Sequence, residues 1–248
     1  MKRLVVFLIL VLTGGLLAKG SDKIYEDLNQ AKIFYDQKNY LLARERYLTV
    51  LSQGVKAKEI YYNLGNVYYR LGDLGYSRFY YELAREISPR DSDVNFNLKF
   101  IRQQIKEPPL PWTEELSGIL TGWGNRNEIF LMCLVVYLGL SIGLVFYFLK
   151  KWPVLKTINW ILIGLWLVLV VIFLLKMKEE VWTKWGITIA NPVTEVRNGP
   201  GQQNSVALTI SAARKVIILG EENDWLAVGL PAEGLKAWIA KKDILVLN

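Results

Sequence analysis

Two long apolar runs dominate the pattern of the chain, residues 129–149 and residues 157–175. Neither contains a charged side chain, and Lys150, Lys151 and Lys156 stand between them. A bilayer core takes about 20 apolar residues in a helix. Backbone groups in lipid must be satisfied within their own segment, so each run predicts a membrane-spanning helix. A pair of core helices in a soluble domain is the alternative. Trp152, Trp160, Trp182 and Trp185 lie near the run ends, where amphipathic rings settle at the lipid–water boundary. The connector, residues 150–156, is short and basic. Such loops stay in the cytoplasm, which predicts that both flanking domains lie outside it. A third apolar stretch, residues 4–12, follows Lys2 and Arg3 and precedes Ala18-Lys19-Gly20. Residues 1–20 therefore read as a secretory signal peptide, with an uncleaved anchor as the rival. No cysteine lies near that cleavage point, which excludes a lipoprotein.

The N-terminal flank repeats itself. Shifted by 34 residues, Ala31 falls on Gly65, Phe34 on Tyr68, Tyr35 on Tyr69, Ala43 on Ser77, Tyr47 on Tyr81 and Val50 on Ala84. The second copy reads Tyr61-x2-Leu64-Gly65-x2-Tyr68, then Ser77, Tyr81, Ala84 and Pro89, which resembles the tetratricopeptide repeat (TPR). Small residues at 31 and 65 let two antiparallel helices approach, and Tyr68 and Tyr81 fill the space between them. Pro89 ends the second helix. Asp91 or Ser92 then caps a terminal helix over about residues 93–105, with Val94, Phe96, Leu98, Ile101 and Ile105 packing on the stack. Residues 21–106 thus predict an α-helical TPR pair with a capping helix. The resemblance implies that partner proteins bind a groove lined by the first helix of each repeat. By repeat position the groove includes Tyr25, Leu28, Lys32 and Tyr35 from the first copy, and Glu59, Tyr62, Asn66 and Tyr69 from the second. Asn66 stands where some family members grip a carboxylate. The lysine and arginine partners of that grip are not matched here, so the specificity is not carried over. The plainer reading is that these tyrosines only complete helix packing.

Residues 107–128 form a proline-rich spacer and a short helix. Trp112, Leu116, Ile119, Leu120 and Trp123 share one helical face. A helix lying in the membrane interface is expected; packing on the TPR stack is the alternative.

After Trp185 the pattern turns to short β-rich runs at residues 187–190, 193–197, 215–219, 225–228 and 236–239, separated by Gly, Pro, Asn and Asp. Five strands in this length predict a small all-β barrel. Val196-Arg197-Asn198-Gly199-Pro200-Gly201, Asn223-Asp224-Trp225-Leu226-Ala227-Val228 and Lys236-Ala237-Trp238-Ile239 resemble the motifs of bacterial SH3 (SH3b) domains, with Ala237 where glycine is usual. The resemblance covers residues 186–248 and implies an SH3-like barrel that is not an enzyme and that contacts peptides or peptidoglycan in some members. Gly199, Pro200 and Gly201 predict a tight turn. Trp225 and Trp238 are expected in its core, and Arg197 on its surface.

Composition narrows the chemistry. The net charge of +7 belongs mostly to the leader and the connector, each with three uncompensated cations. Neither flank carries the one-sided basic patch that nucleic acid requires. There is no histidine, and the lone cysteine, Cys133, lies inside the first apolar run. Imidazole catalysis and an intrachain disulfide are excluded, and no metal site or cofactor is expected. Glu114-Glu115 and Glu221-Glu222 are adjacent pairs whose side chains diverge, so carboxylate catalysis has no support.

The order of signal peptide, TPR pair, interfacial helix, membrane hairpin and SH3b domain resembles the BatE proteins of the bacterial aerotolerance operon. That resemblance implies a noncatalytic two-pass inner-membrane scaffold with periplasmic TPR and SH3b domains. Its implied partners are von Willebrand A-domain and other Bat-type membrane proteins. Binding of peptidoglycan through the SH3b domain is the alternative.

Overall fold

The computed structural model describes residues 22–122, 124–190 and 192–247. The expected signal peptide and Trp123 lie outside the described residues.

Five helices open the described chain. Helix α1 covers residues 22–36, followed by α2 (Tyr40–Ser52), α3 (Lys58–Arg70), α4 (Leu74–Ile87) and α5 (Ser92–Gln104). Each of α3, α4 and α5 packs on the helix before it. Small residues set the spacing. A Cβ on Gly65 would stand 2.5 Å from the Tyr81 ring, so that ring closes directly over the glycine. The Ser77 hydroxyl donates to the Gly65 carbonyl at 2.8 Å. Tyr68 stacks on Tyr76 and Tyr80 at ring separations of 4.9 and 5.4 Å. Ala31, Ala43, Leu64, Val67, Ala84 and Val94 are fully enclosed, and each of the larger ones contributes about 1.5–3 kcal/mol of burial. Asp73 caps α4. Asp91, not Ser92, caps α5, accepting from the Asp93 and Val94 N–H groups. Phe96 departs from expectation. Val94, Leu98 and Ile101 share the face that meets the stack, and Phe96 falls outside that face and is 66% exposed.

Helix α6 (Trp112–Thr121) leads into α7 (Arg126–Lys150) and α8 (Pro153–Met177). Asn125 and Glu128 form a reciprocal cap at the start of α7. Lys151 ends that helix in the left-handed region, and Pro153 pre-sets the first turn of α8. The connector is thus shorter than residues 150–156, and Lys156 lies inside α8. The two helices form an antiparallel hairpin, with Phe130 meeting Phe173 and Tyr137 meeting Trp166. Both are long and apolar enough to cross a membrane. Helix α6 packs on α8, and the Thr121 hydroxyl donates to the Glu179 carboxylate at 2.7 Å. Its Trp112, Leu116 and Ile119 remain exposed, uncovered by the helical stack or by any other described part of the chain.

A single π-helical turn, Lys178–Trp182, delivers the chain to an antiparallel sheet. Its strands are β1 (Lys184–Thr188), β2 (Val193–Arg197), β3 (Val206–Ser211), β4 (Lys215–Glu222), β5 (Trp225–Leu230), β6 (Leu235–Ala240) and β7 (Ile244–Leu247). Their spatial order is β3-β2-β6-β5-β4-β1-β7. The sheet has seven strands among the described residues and is not a closed barrel, because β3 and β7 remain at its two edges. The phase of alternation also overturns one expected core assignment. Leu226, Val228 and Leu230 of β5 and Ala237 and Ile239 of β6 point into the core. Trp225 and Trp238 stand on the opposite, half-exposed face. Arg197 is not free on the surface. Its guanidinium donates to the Gln202 and Asn204 carbonyls at 2.9 and 2.7 Å, bracing the turn that contains Gly199, Pro200 and Gly201.

The sheet docks on α4. Residues of β1 and β7 meet that helix, and the Gly75 backbone lies so close that a Cβ there would be 2.7 Å from the Thr188 carbonyl oxygen. Ala213, in the β3–β4 turn, joins the buried cluster of the helical stack. The Arg78 guanidinium crosses the junction, donating to the Ala213 carbonyl at 2.6 Å and to Glu107 at 2.8 Å.

Candidate interaction groove

The inner faces of α1, α3 and α5 enclose a concave pocket of about 150 Å³. Tyr35 comes from α1, Asn66, Tyr69 and Arg70 from α3, and Asn97 and Phe100 from α5. The 3.6-residue period brings Asn66, Tyr69 and Arg70 to one side of α3. Behind them, Leu64 and Val67 are buried in the stack.

Asn66 is held in place. Its carbonyl oxygen accepts from the Tyr81 hydroxyl at 2.6 Å and from the Asn97 amide at 3.4 Å. The Tyr69 ring meets Phe100 edge-on at 5.9 Å. Burial raises the Tyr81 phenol pKa well above its ordinary value, with smaller contributions from neighbouring tyrosines. Tyr81 therefore stays protonated and serves as a fixed donor. Arg70 adds one cation at the rim, beside the Tyr35 hydroxyl. The pocket offers aromatic faces, two amides and one guanidinium. That set suits an extended peptide, whose backbone amides and side chains need polar partners and flat apolar surface together.

The expected groove residues separate into two sets. Tyr35, Asn66 and Tyr69 come together in the pocket, and Tyr62 stands next to it, its ring 5.9 Å from Tyr81. Tyr25 and Lys32 are exposed away from it. Leu28 packs against the helical core. Glu59 sits in the first turn of α3, where it meets Lys58 at 3.5 Å. Arg70, Asn97 and Phe100 were not expected. At the 34-residue offset Asn97 falls on Asn63 and Phe100 on the groove position Asn66, so the register of the repeat runs on into α5.

The sheet offers a second surface. Arg197 pairs with Trp238 across β2 and β6, and Ala227 pairs with Trp238 across β5 and β6. Trp225 and Trp238 therefore lie diagonally on one outer face.

Comparison with known proteins adds one finding. No curated protein matches the chain. A tetratricopeptide repeat family model matches residues 58–91, the segment that runs from α3 through α4 to the cap of α5.

Proposed function

We propose that this chain is a noncatalytic membrane scaffold that holds an extended segment of a partner protein in the groove between α1, α3 and α5. The observation that carries this reading is the division of labour on α4. Its Gly75 and Arg78 face the sheet, while its Tyr81 supports Asn66 in the groove. Docking of the sheet thus leaves the groove open. The hairpin anchors the assembly, and Lys150, Lys151 and Lys156 at its closed end favour a cytoplasmic position for that end. The TPR stack and the sheet then share the other side, the periplasm in a cell with two membranes. The order of parts supports a BatE-like role in an envelope stress or aerotolerance complex, with von Willebrand A-domain and other Bat-type membrane proteins as partners. The test is affinity capture from membranes with the full chain carrying Tyr69→Ala and Arg70→Ala. Both side chains are outside the core, so folding is retained. Loss of captured membrane proteins supports the groove; capture equal to wild type refutes it. A reporter fused after residue 248 that is active only in the cytoplasm would refute the topology.

One observation favours a second reading, binding of peptidoglycan. Trp225 and Trp238 stand on the outer face of the sheet, where aromatic rings can stack on sugars. Retention of the full chain on isolated sacculi, lost in Trp225→Ala with Trp238→Ala, would support it.

A further inference from the structure

Helix α6 is packed the wrong way round for a helix in water. Trp112, Leu116 and Ile119 fall within about 60° of one another on its surface, and they are 74%, 46% and 67% exposed. The opposite side holds the small and polar residues, and that is the side in contact with protein. Thr121 is fully buried, and its hydroxyl meets Glu179 just past the end of α8. A helix of a water-soluble fold turns its apolar stripe to the core and its polar side to solvent. Here the two are exchanged.

The level of α6 identifies what covers the stripe. Helix α8 has 25 residues and spans about 37 Å at about 1.5 Å per residue. That exceeds the roughly 30 Å hydrocarbon core but not the roughly 40–45 Å bilayer with its headgroup layers. Trp152 at one end of α8 and Trp182 beyond the other are both exposed, as rings at the two lipid–water boundaries would be. Glu179, the residue that Thr121 holds, lies in the same turn as Trp182. The C-terminal end of α6 is therefore fixed at the level of one headgroup layer. Its position is also limited from the other end, where residues 108–111 join it to Glu107, held by Arg78 and Arg102. Any protein that covered the stripe at this level would first have to displace lipid.

We infer that α6 lies in the lipid–water interface beside the open end of the hairpin, with Trp112, Leu116 and Ile119 inserted among the lipids. The helix contains no cation, and Glu114 and Glu115 stand in its first turn. Apolar insertion holds it, so anionic lipid is not required. The contact gives the helical stack a hold on the membrane besides the two spans. The inference rests on α7 and α8 crossing a bilayer, as the proposed function does.

The experiment places nitroxide spin labels on the full chain in phosphatidylcholine vesicles. Cys133→Ala removes the one native cysteine. Single cysteines then follow: Leu116→Cys and Ile119→Cys on the stripe, Gly118→Cys on another side of α6, and Leu165→Cys halfway along α8. All four positions are exposed, and a Cβ on Gly118 meets nothing within 4 Å, so the labels leave the fold intact. Collision with oxygen and with a water-soluble nickel complex reads depth. The labels at 116 and 119 should lie roughly 5–10 Å inside the headgroup–acyl boundary, reached by oxygen and shielded from nickel. The label at 118 should remain open to nickel. Nickel access at 116 or 119 equal to that at 118, with the label at 165 deep in lipid, overturns the placement of α6 alone. Shielding of 116 and 119 from both reagents overturns it too, because protein then covers the stripe. A label at 165 that is open to nickel overturns the spans and the placement of α6 together.

Discussion

Replacing Gly75 by alanine sets two effects of opposite sign against each other. Within α4 the change favours the helix by about 1 kcal/mol, because glycine loses more backbone freedom on folding. At the junction it does the reverse. The new Cβ would stand 2.7 Å from the Thr188 carbonyl oxygen and 2.8 Å from the Ile189 Cα. Ordinary contact begins near about 3.5 Å, so the surfaces must part by roughly 0.8 Å. Neither backbone atom can yield alone. The Thr188 carbonyl accepts from the Ala213 N–H at 2.8 Å, and the Ile189 N–H donates to the Asp243 carbonyl at 2.9 Å. The helix must therefore back away from the sheet, which also stretches the bond from Arg78 to the Ala213 carbonyl. Overpacking of this kind costs about 1–3 kcal/mol. Taking a loss of about 1–2 kcal/mol, the undocked population rises roughly 5–30-fold. Hydrogen exchange on the full chain in detergent reads this locally. The Ala213 and Arg214 amides should exchange faster by that factor, while the α3 amides of Leu64 and Val67 keep their wild-type protection. Unchanged exchange at Ala213 and Arg214, in a chain with native α3 protection, would refute docking of the sheet on α4.

Other substitutions probe the same structure from different sides. Arg78→Met leaves Glu107 and the Ala213 carbonyl without their shared donor, and should cost about 3–5 kcal/mol in thermal unfolding of the full chain; a wild-type Tm would refute the buried crossing. Acid should loosen the junction. Burial opposes ionisation of Glu82 and Glu107, yet Arg85, Lys215 and Arg78 hold Glu82 down to about 2, and Arg78, Arg102 and Arg214 lower Glu107. Depressed folded pKa values mean that this stabilisation is complete above the unfolded value near about 4.3 and is lost as pH falls towards the folded one. Exchange at Ala213 should accelerate across that window in wild type and less steeply in Glu82→Gln. Gly65→Val drives two methyl groups into the Tyr81 ring and should lower helical stability by about 1–3 kcal/mol, measured by far-ultraviolet circular dichroism on heating; no change would mean that the ring does not close on the glycine.

The helical half was largely legible because its signals are local and repeated. Gly65, Tyr68, Tyr81 and Pro89 each do one geometric task at a fixed spacing, and the offset of 34 residues makes that spacing visible. The groove was legible in its centre, at Tyr35, Asn66 and Tyr69, and missed at its edge. Asn97 and Phe100 were overlooked because α5 has no second helix after it, so its inner face resembled a cap. The sheet was harder. Its β3 follows an uncharged Gly- and Gln-rich turn, and β7 is only four residues long. The alternation of β3 is confined to Leu208–Ser211, and β7 shows none. Trp225 and Trp238 look like core residues by size, but size does not choose a face. Leu226, Val228 and Leu230 recur at every second position and claim the interior. The register then leaves both tryptophans outside.

The junction between the two halves was illegible for a different reason. Arg78 and Ala213 are 135 residues apart, and nothing near either one points to the other. Periodicity treats an arginine on a helix as solvent-facing, yet Arg78 is 3% exposed. Ala213 adopts a φ of +64°, a region that usually selects glycine. That strain, about 1–2 kcal/mol for a residue with a Cβ, is sustained because the turn aims one carbonyl at Arg78 and one N–H at Thr188. Apolar contact alone would let the sheet slide along α4 with little change in buried area. The charges do not. Any displaced pose would strand Arg78, Glu107 or Arg214 in a dry interface, at several kcal/mol per ion. Such a contact fixes the sheet against α4, because the same charges that add little net stability penalise each alternative position.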